Sequence, residues 1–219
     1  MVGTKVGCAG FSIPQTRYFR EFSLVEIQET QLGVPGEGTV RRWKREAPEG
    51  FEFTMLAPRD GIAPAFGGAQ TKETKALFAA VLAFGRSLAV EEVVFLSPAD
   101  FAPSRAHRAT IGAFFAKVPK KGLTLVWEPP ASWSPSEAAA VGSDSDLVVA
   151  VDPLANARFD TDRAYFRMPG PAGRRSRYED AALSDLAAAC RKVRRCTCIF
   201  ANADMHSDGK RLKALLKLP

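Results

Sequence analysis

Histidine is scarce in this chain. Among 219 residues there are two, His107 and His206, so a His-rich metal site is excluded by supply. Cysteine is also limited to Cys8, Cys190, Cys196 and Cys198. No second Cys pair or His pair follows at finger spacing, which excludes a zinc finger. Cys196 and Cys198 alternate along an apolar run and should face one side of a strand. Buried free thiols in a reducing compartment are expected, with a redox role as the alternative. No apolar run approaches the ~20 residues needed to span a bilayer. Met1 to Gly10 lacks the basic start and long apolar centre of a signal peptide, so a cytoplasmic location is expected. There is no nucleophile elbow, Walker loop or dinucleotide fingerprint. Ser-His-Asp catalysis lacks a placed His: His107 falls on a helix and His206 is expected in a loop after the eighth strand.

What is present is an ordinary globular composition, 46% hydrophobic and 25% charged. The length suits one α/β domain over residues 1–219, and no linker, repeat or low-complexity segment divides it. A net charge of +6 favours anionic partners. Short apolar runs alternate with helical periodicity. Strands are expected at Lys5 to Cys8, Leu24 to Gln28, Phe51 to Leu56, Glu92 to Leu96, Leu123 to Trp127, Leu147 to Val151, Arg163 to Met168 and Cys196 to Phe200. Helices are expected at Thr39 to Glu46, Lys72 to Leu88, Ser104 to Lys117, from Ser134, at Glu179 to Lys192 and at Asp208 to Leu218. Ser134, Pro135 and Glu137 form a capping box with a first-turn proline. No regular helix is expected after the sixth strand. Eight strands, most followed by a helix, spell a short (β/α)8 TIM barrel. The rival is an open doubly wound sheet.

Barrel active sites lie at the C-terminal ends of the strands. The second strand offers Glu26, Gln28 and Thr30 there, and later strands Arg59, Glu128, Asp152, Arg167 and Asn202. Glu26 inside a strand is costly unless paired. Glu26, Glu128 and Asp152 are the candidate catalytic residues: two carboxylates suit general acid and base roles, and three could hold a divalent cation such as Mg²⁺. The structural alternative pairs Glu26 or Glu128 with Arg167 or Arg59, and lets Asp152 start a turn before Pro153. After the seventh strand, a Gly/Pro loop carries Arg174, Arg175, Arg177 and Tyr178. Such a loop can supply bidentate phosphate contacts and a stacking ring, or can be solvated surface. Arg41, Arg42, Lys44 and Arg45 read as a solvated helix face in which Trp43 could anchor a partner.

At these strand ends the sequence resembles the YecE-like family, domain of unknown function 72. Gly7-Cys8-Ala9-Gly10-Phe11 is similar to its opening Gly-Thr-Ser-Gly-Trp motif, and Val25 to Thr30 to its Val-Glu-Ile-Asn-x-Thr strand. Trp43, Pro48-x-Gly50-Phe51-x-Phe53, Ala57-Pro58-Arg59, Val126-Trp127-Glu128, Trp133, Asp152-Pro153, Tyr165-Phe166-Arg167, Phe200-Ala201-Asn202, Met205 and Asp208 follow in family order. The resemblance implies a TIM barrel without an established reaction, somewhat like sugar-isomerase and apurinic-endonuclease barrels. Four polar family positions are apolar here: Leu56 for Lys, Ala63-Pro64 for Thr-His, Pro129 or Pro130 for Arg, and Pro169 for His. Lost Lys, Arg and His remove proton-transfer and anion-clamping groups.

Two functions follow as expectations. One is an anion or phosphate-ester site serving a hydrolase on nucleic acid or a phosphosugar. In it Arg59 and Arg167 orient the anion, Asn202 is a hydrogen-bonding partner, Arg174, Arg175 and Arg177 hold an extended polyanion, and Gln28, Thr30 and Tyr178 complete the ligand contacts. The other is a non-catalytic protein that binds nucleic acid or another polyanion.

Overall fold

The computed structural model describes residues 3–120, 122–155, 158–171 and 177–219. All eight expected strands form: β1 (Gly3–Ala9), β2 (Leu24–Ile27), β3 (Glu52–Leu56), β4 (Glu92–Leu96), β5 (Thr124–Glu128), β6 (Val148–Val151), β7 (Arg163–Met168) and β8 (Arg195–Phe200). They pair in chain order as a closed parallel barrel, with β8 returning to β1. Closure removes the open-sheet alternative. The helices are α1 (Gln15–Glu21), α2 (Glu37–Glu46), α3 (Lys72–Ser87), α4 (Arg105–Phe115), α5 (Pro135–Ser145), α6 (Asp180–Arg191) and α7 (Met205–Leu216). Among the described residues no helix joins β6 to β7, and no helix is long and apolar enough to cross a membrane.

Local signals explain where the helices begin. The Ser134 hydroxyl accepts from the Glu137 N–H while the Glu137 carboxylate accepts from the Ser134 N–H, and Pro135 fills the first turn. Thr71 and Thr74 make the reciprocal box ahead of α3. Ser104 caps α4 by accepting from the His107 N–H. α7 starts at Met205, three residues earlier than its apolar pattern indicates.

The chain divides into two compact units, Met1–Glu26 with Glu46–Glu52 and Ala150–Pro219, and Ile27–Arg45 with Phe53–Val149. In the first, register decides which side chains share a face, because paired residues of parallel strands point the same way. Ala9 pairs with Glu26, and Gly7 with Leu24 and Ile199. Tyr165 pairs with Ala150 and Thr197, and Arg167 with Ile199. Gly7, Ala9, Glu26, Tyr165 and Arg167 therefore share one face, toward the barrel interior. Val6, Cys8, Phe166, Cys196 and Cys198 take the other, and all are buried under the helices. Cys196 Sγ lies 3.9 Å from Cys190 Sγ of α6. All four cysteines are buried free thiols, and burial pushes the Cys8 thiol up to about 11.

In the second unit aromatic contacts dominate. Phe95 packs on Phe78, Phe114 and Phe115, and Trp127 meets Trp133 edge to face. Trp43 is not a surface anchor: it is 1% exposed and stacks on Phe53, while Arg41, Arg42, Lys44 and Arg45 around it are exposed. On an amphipathic helix one large apolar residue between cations marks the core-facing stripe.

Candidate functional site

Glu26 is fully buried, and two side chains of β7 engage it. The Tyr165 hydroxyl donates to Glu26 Oε2 at 2.7 Å. Arg167 donates from Nη2 to Oε1 at 3.1 Å, and from Nε to Oε1 at 3.2 Å and Oε2 at 3.4 Å. β2 and β7 are separated by β8 and β1, so these contacts cross the interior. Small residues on β1 make the crossing feasible. Gly7 has no room for more: a Cβ there would lie 2.5 Å from the Leu24 carbonyl oxygen. The ion pair anticipated as the structural role of Glu26 is thus present. Arg167 keeps 13% of its side chain in solvent and Glu26 keeps none. Solvent therefore meets the cationic member.

Asp152 follows Val151, which pairs with Phe166, so it stands beside Arg167 at the strand ends. Its Oδ1 accepts from the Leu154 N–H at 2.9 Å, the turn anticipated from Asp152-Pro153. Burial raises its pKa above the ordinary carboxylate value, against the lowering pull of the Leu154 and Ala155 N–H groups.

A second buried carboxylate organises the end of the arginine loop. Asp208, fully buried in the first turn of α7, accepts from Asn202 Nδ2 at 2.7 Å and from the Tyr178 N–H at 3.2 Å through Oδ2. Its Oδ1 accepts from Arg211 Nη1 at 2.8 Å, and Arg177 Nε lies at 3.8 Å. The Tyr178 hydroxyl accepts from the Gly170 N–H at 2.8 Å, tying the two ends of the loop together. Tyr178 is buried, and burial pushes its phenol well up. Arg177 remains half exposed. Arg174 and Arg175 lie outside the described residues.

The four other described candidates belong to the second unit. Thr30 is buried and its hydroxyl donates to the Ile27 carbonyl. Gln28 is half-buried just beyond β2. Glu128 ends β5 in the second unit and Arg59 is exposed there. Among the described residues no three His, Cys, Asp or Glu side chains are grouped to hold a metal ion. His206 is not in a loop. It sits in α7, and its Nε2 lies 2.7 Å from Glu21 Oε2, clamping α7 to α1.

Tyr165 and Asp208 were not singled out as site residues from the sequence. A usable signal existed for Tyr165, which is two residues from Arg167 on one strand and so shares its face. For Asp208 the one signal was its place in the family-like motif series, since its partners come from three separate segments.

Residues 15–218 match the family model described as "Protein of unknown function DUF72". A DUF72 family protein from Enterococcus faecalis V583 superposes with a TM-score of 0.79 at 17% identity, covering 99% of this chain and 96% of that one. One from Thermotoga maritima MSB8 gives 0.76 at 19% identity, covering 98% and 99%. An AP endonuclease, family 2, from Brucella melitensis gives 0.63 at 13% identity, covering 98% of each chain. No curated protein matches the sequence.

Proposed function

The chain belongs to the DUF72 family, and within that barrel we propose that the strand ends of the first unit bind a phosphate ester, with nucleic acid as the polyanion to test first. The observation that carries the reading is the fixed guanidinium of Arg167. Glu26, itself engaged by Tyr165, fixes it, and Arg167 is the member of the pair that keeps solvent contact. A planar, pre-oriented fork suits a phosphate better than a free lysine does. Arg177, half exposed, stands with the Asn202–Asp208–Tyr178 cluster and extends the positive surface. Arg174 and Arg175, its neighbours in sequence, add two more cations for a longer strand. The AP endonuclease among the similar folds makes nucleic acid the first polymer to test, by analogy only.

Fluorescence anisotropy with labelled single-stranded DNA, competed by a sugar phosphate, tests this. Arg167→Lys keeps the charge but loses the fork, and Arg177→Ala removes an exposed cation. Both should weaken binding, by about tenfold for Arg167→Lys, which is ~1.4 kcal/mol. Affinity for DNA should also fall steeply with salt. Unchanged binding in Arg167→Lys would overturn the assignment.

A second reading, hydrolysis, has its own observation in Asp152. Its raised pKa and its place beside Arg167 suit a general acid that protonates a leaving oxygen. Asp152→Asn should then abolish turnover, measured with and without Mg²⁺, while binding persists. A wild-type protein that binds and never turns over is a binding module.

A further inference from the structure

On the outer side of the second unit, α3 and α4 leave a groove of about 580 Å³, within the ~300–1,000 Å³ usual for small-molecule sites. Phe78, Leu82 and Phe114 form its apolar surface, with the two phenyl rings 5.7 Å apart. Both rings are only half-buried, so apolar surface stays in water that a ligand would cover. Lys75, Arg86 and Lys117 supply all the charge of the lining, which has no acidic side chain. Among the described residues none of these three cations has a carboxylate within ion-pair distance. By contrast, Arg41 of α2 pairs with Glu37, and Arg108, elsewhere on α4, pairs with Glu137.

We propose that this groove binds an amphipathic anion: a carboxylate or sulfonate headgroup on an alkyl or aromatic body. The body lies on Phe78, Leu82 and Phe114. The headgroup reaches Arg86 in the last turn of α3 and Lys117 just past α4. Neighbouring helices of a parallel barrel run in the same direction, so these cations stand at one end of the groove. Lys75, three turns earlier on α3, marks the opposite end and sets the length of body that fits, ~16 Å at 1.5 Å per residue. Charge complementarity selects the anion, because a cationic or uncharged amphiphile of equal length gains nothing from the rim. The alternative is that the cations are solvated surface with their stems lying over the rings.

The probe is 8-anilinonaphthalene-1-sulfonate, titrated into the folded protein by fluorescence, with decanoate, decylamine and decanol as competitors. Decanoate should displace it and the other two should not. The double variant R86E/K117E should weaken the probe by about tenfold or more, equivalent to ~1.4 kcal/mol or more. Ala113→Trp, which fills the groove from an exposed position of α4, should abolish binding. Arg41→Ala should leave it unchanged. Each variant is first shown to unfold cooperatively in urea, because this dye also binds loosened states. Binding that survives R86E/K117E or Ala113→Trp, equal displacement by decylamine, or no saturable binding by the wild type would overturn the proposal.

Discussion

Breaking the Glu26–Arg167 pair from either side, and then from both, tests the centre of this reading. Glu26 has no solvent contact and Arg167 little, so each charge depends on the other. Arg167→Met keeps the stem and leaves the carboxylate with the Tyr165 hydroxyl but without the guanidinium. Removing one member of a buried pair costs ~3–5 kcal/mol. Glu26→Gln keeps the shape but loses the charge, and should cost about 2–3 kcal/mol because hydrogen bonds to charged groups contribute ~1.5–3. The double variant should fall short of the sum by ~1–3 kcal/mol, since residues sharing one network do not add. Tyr165→Phe removes a single donor to the same carboxylate, for about 1.5–3 kcal/mol. Urea unfolding reads all four. The three tryptophans, Trp43, Trp127 and Trp133, all lie in the second unit, so far-UV circular dichroism is followed alongside their fluorescence. If Arg167→Met costs under ~1 kcal/mol, or the double variant is additive within ~0.5 kcal/mol, the two groups do not form the coupled centre argued here.

Three other perturbations have directions fixed by geometry. Tyr18 is fully buried, accepts from the Cys8 N–H and donates to the Leu24 carbonyl; Tyr18→Phe strands both groups and should cost about 2–4 kcal/mol by urea unfolding. Gly7→Ala puts a Cβ against the Leu24 backbone, which must move; about 2–3 kcal/mol or loss of soluble protein is expected, and a neutral effect would refute the register. Arg17, Lys210 and His206 hold Glu21 down from 4.5 to about 2. Its contribution is complete above pH 4.5 and lost as pH falls toward about 2, so Glu21→Gln should flatten the acid limb of stability in that window.

Barrel strands were legible because each short apolar run is closed by turn residues: Ala57-Pro58 after β3, Ser97-Pro98 after β4, Asp152-Pro153 after β6. Helix starts were legible wherever a side chain caps them, as at Ser134 and Ser104. The start of α7 was not: its N-cap, Asp204, makes no side-chain cap hydrogen bond, and the polar run from His206 to Lys210 hides the helical period. Trp43 looked like an anchor because its neighbours are charged, although that same pattern is what a helix with one core-facing stripe produces. That Glu26 needs a partner was legible from cost alone, since a strand carboxylate is unfavourable without one, but Arg167 and Arg59 stood as alternatives. Tyr165 was harder, because an aromatic residue in a strand reads as core. The Asp208 cluster was beyond local pattern, because Asn202, Tyr178 and Arg211 reach it from β8's exit, the loop after β7 and α7 itself.

The positions where family-like polar residues have become apolar are not spread evenly. Three of the four, Leu56, Ala63-Pro64 and Pro129 or Pro130, belong to the second unit; Pro169 belongs to the first, with Glu26, Asp152, Tyr165, Arg167, Asn202 and Asp208. The second unit lacks both the Lys and the Thr-His that the resemblance implies. A lone reversion should therefore fail. Leu56 is 1% exposed, and Leu56→Lys would bury an ammonium where Ala63-Pro64 replace the family's Thr-His. Burying a charge without a partner is strongly unfavourable, so this variant should be destabilised by several kcal/mol in urea and acquire no activity. If Leu56→Lys instead folds with wild-type stability and begins to turn over a phosphate ester, the second unit still holds the partners of a catalytic lysine. The binding-module reading would then give way to an enzymatic one.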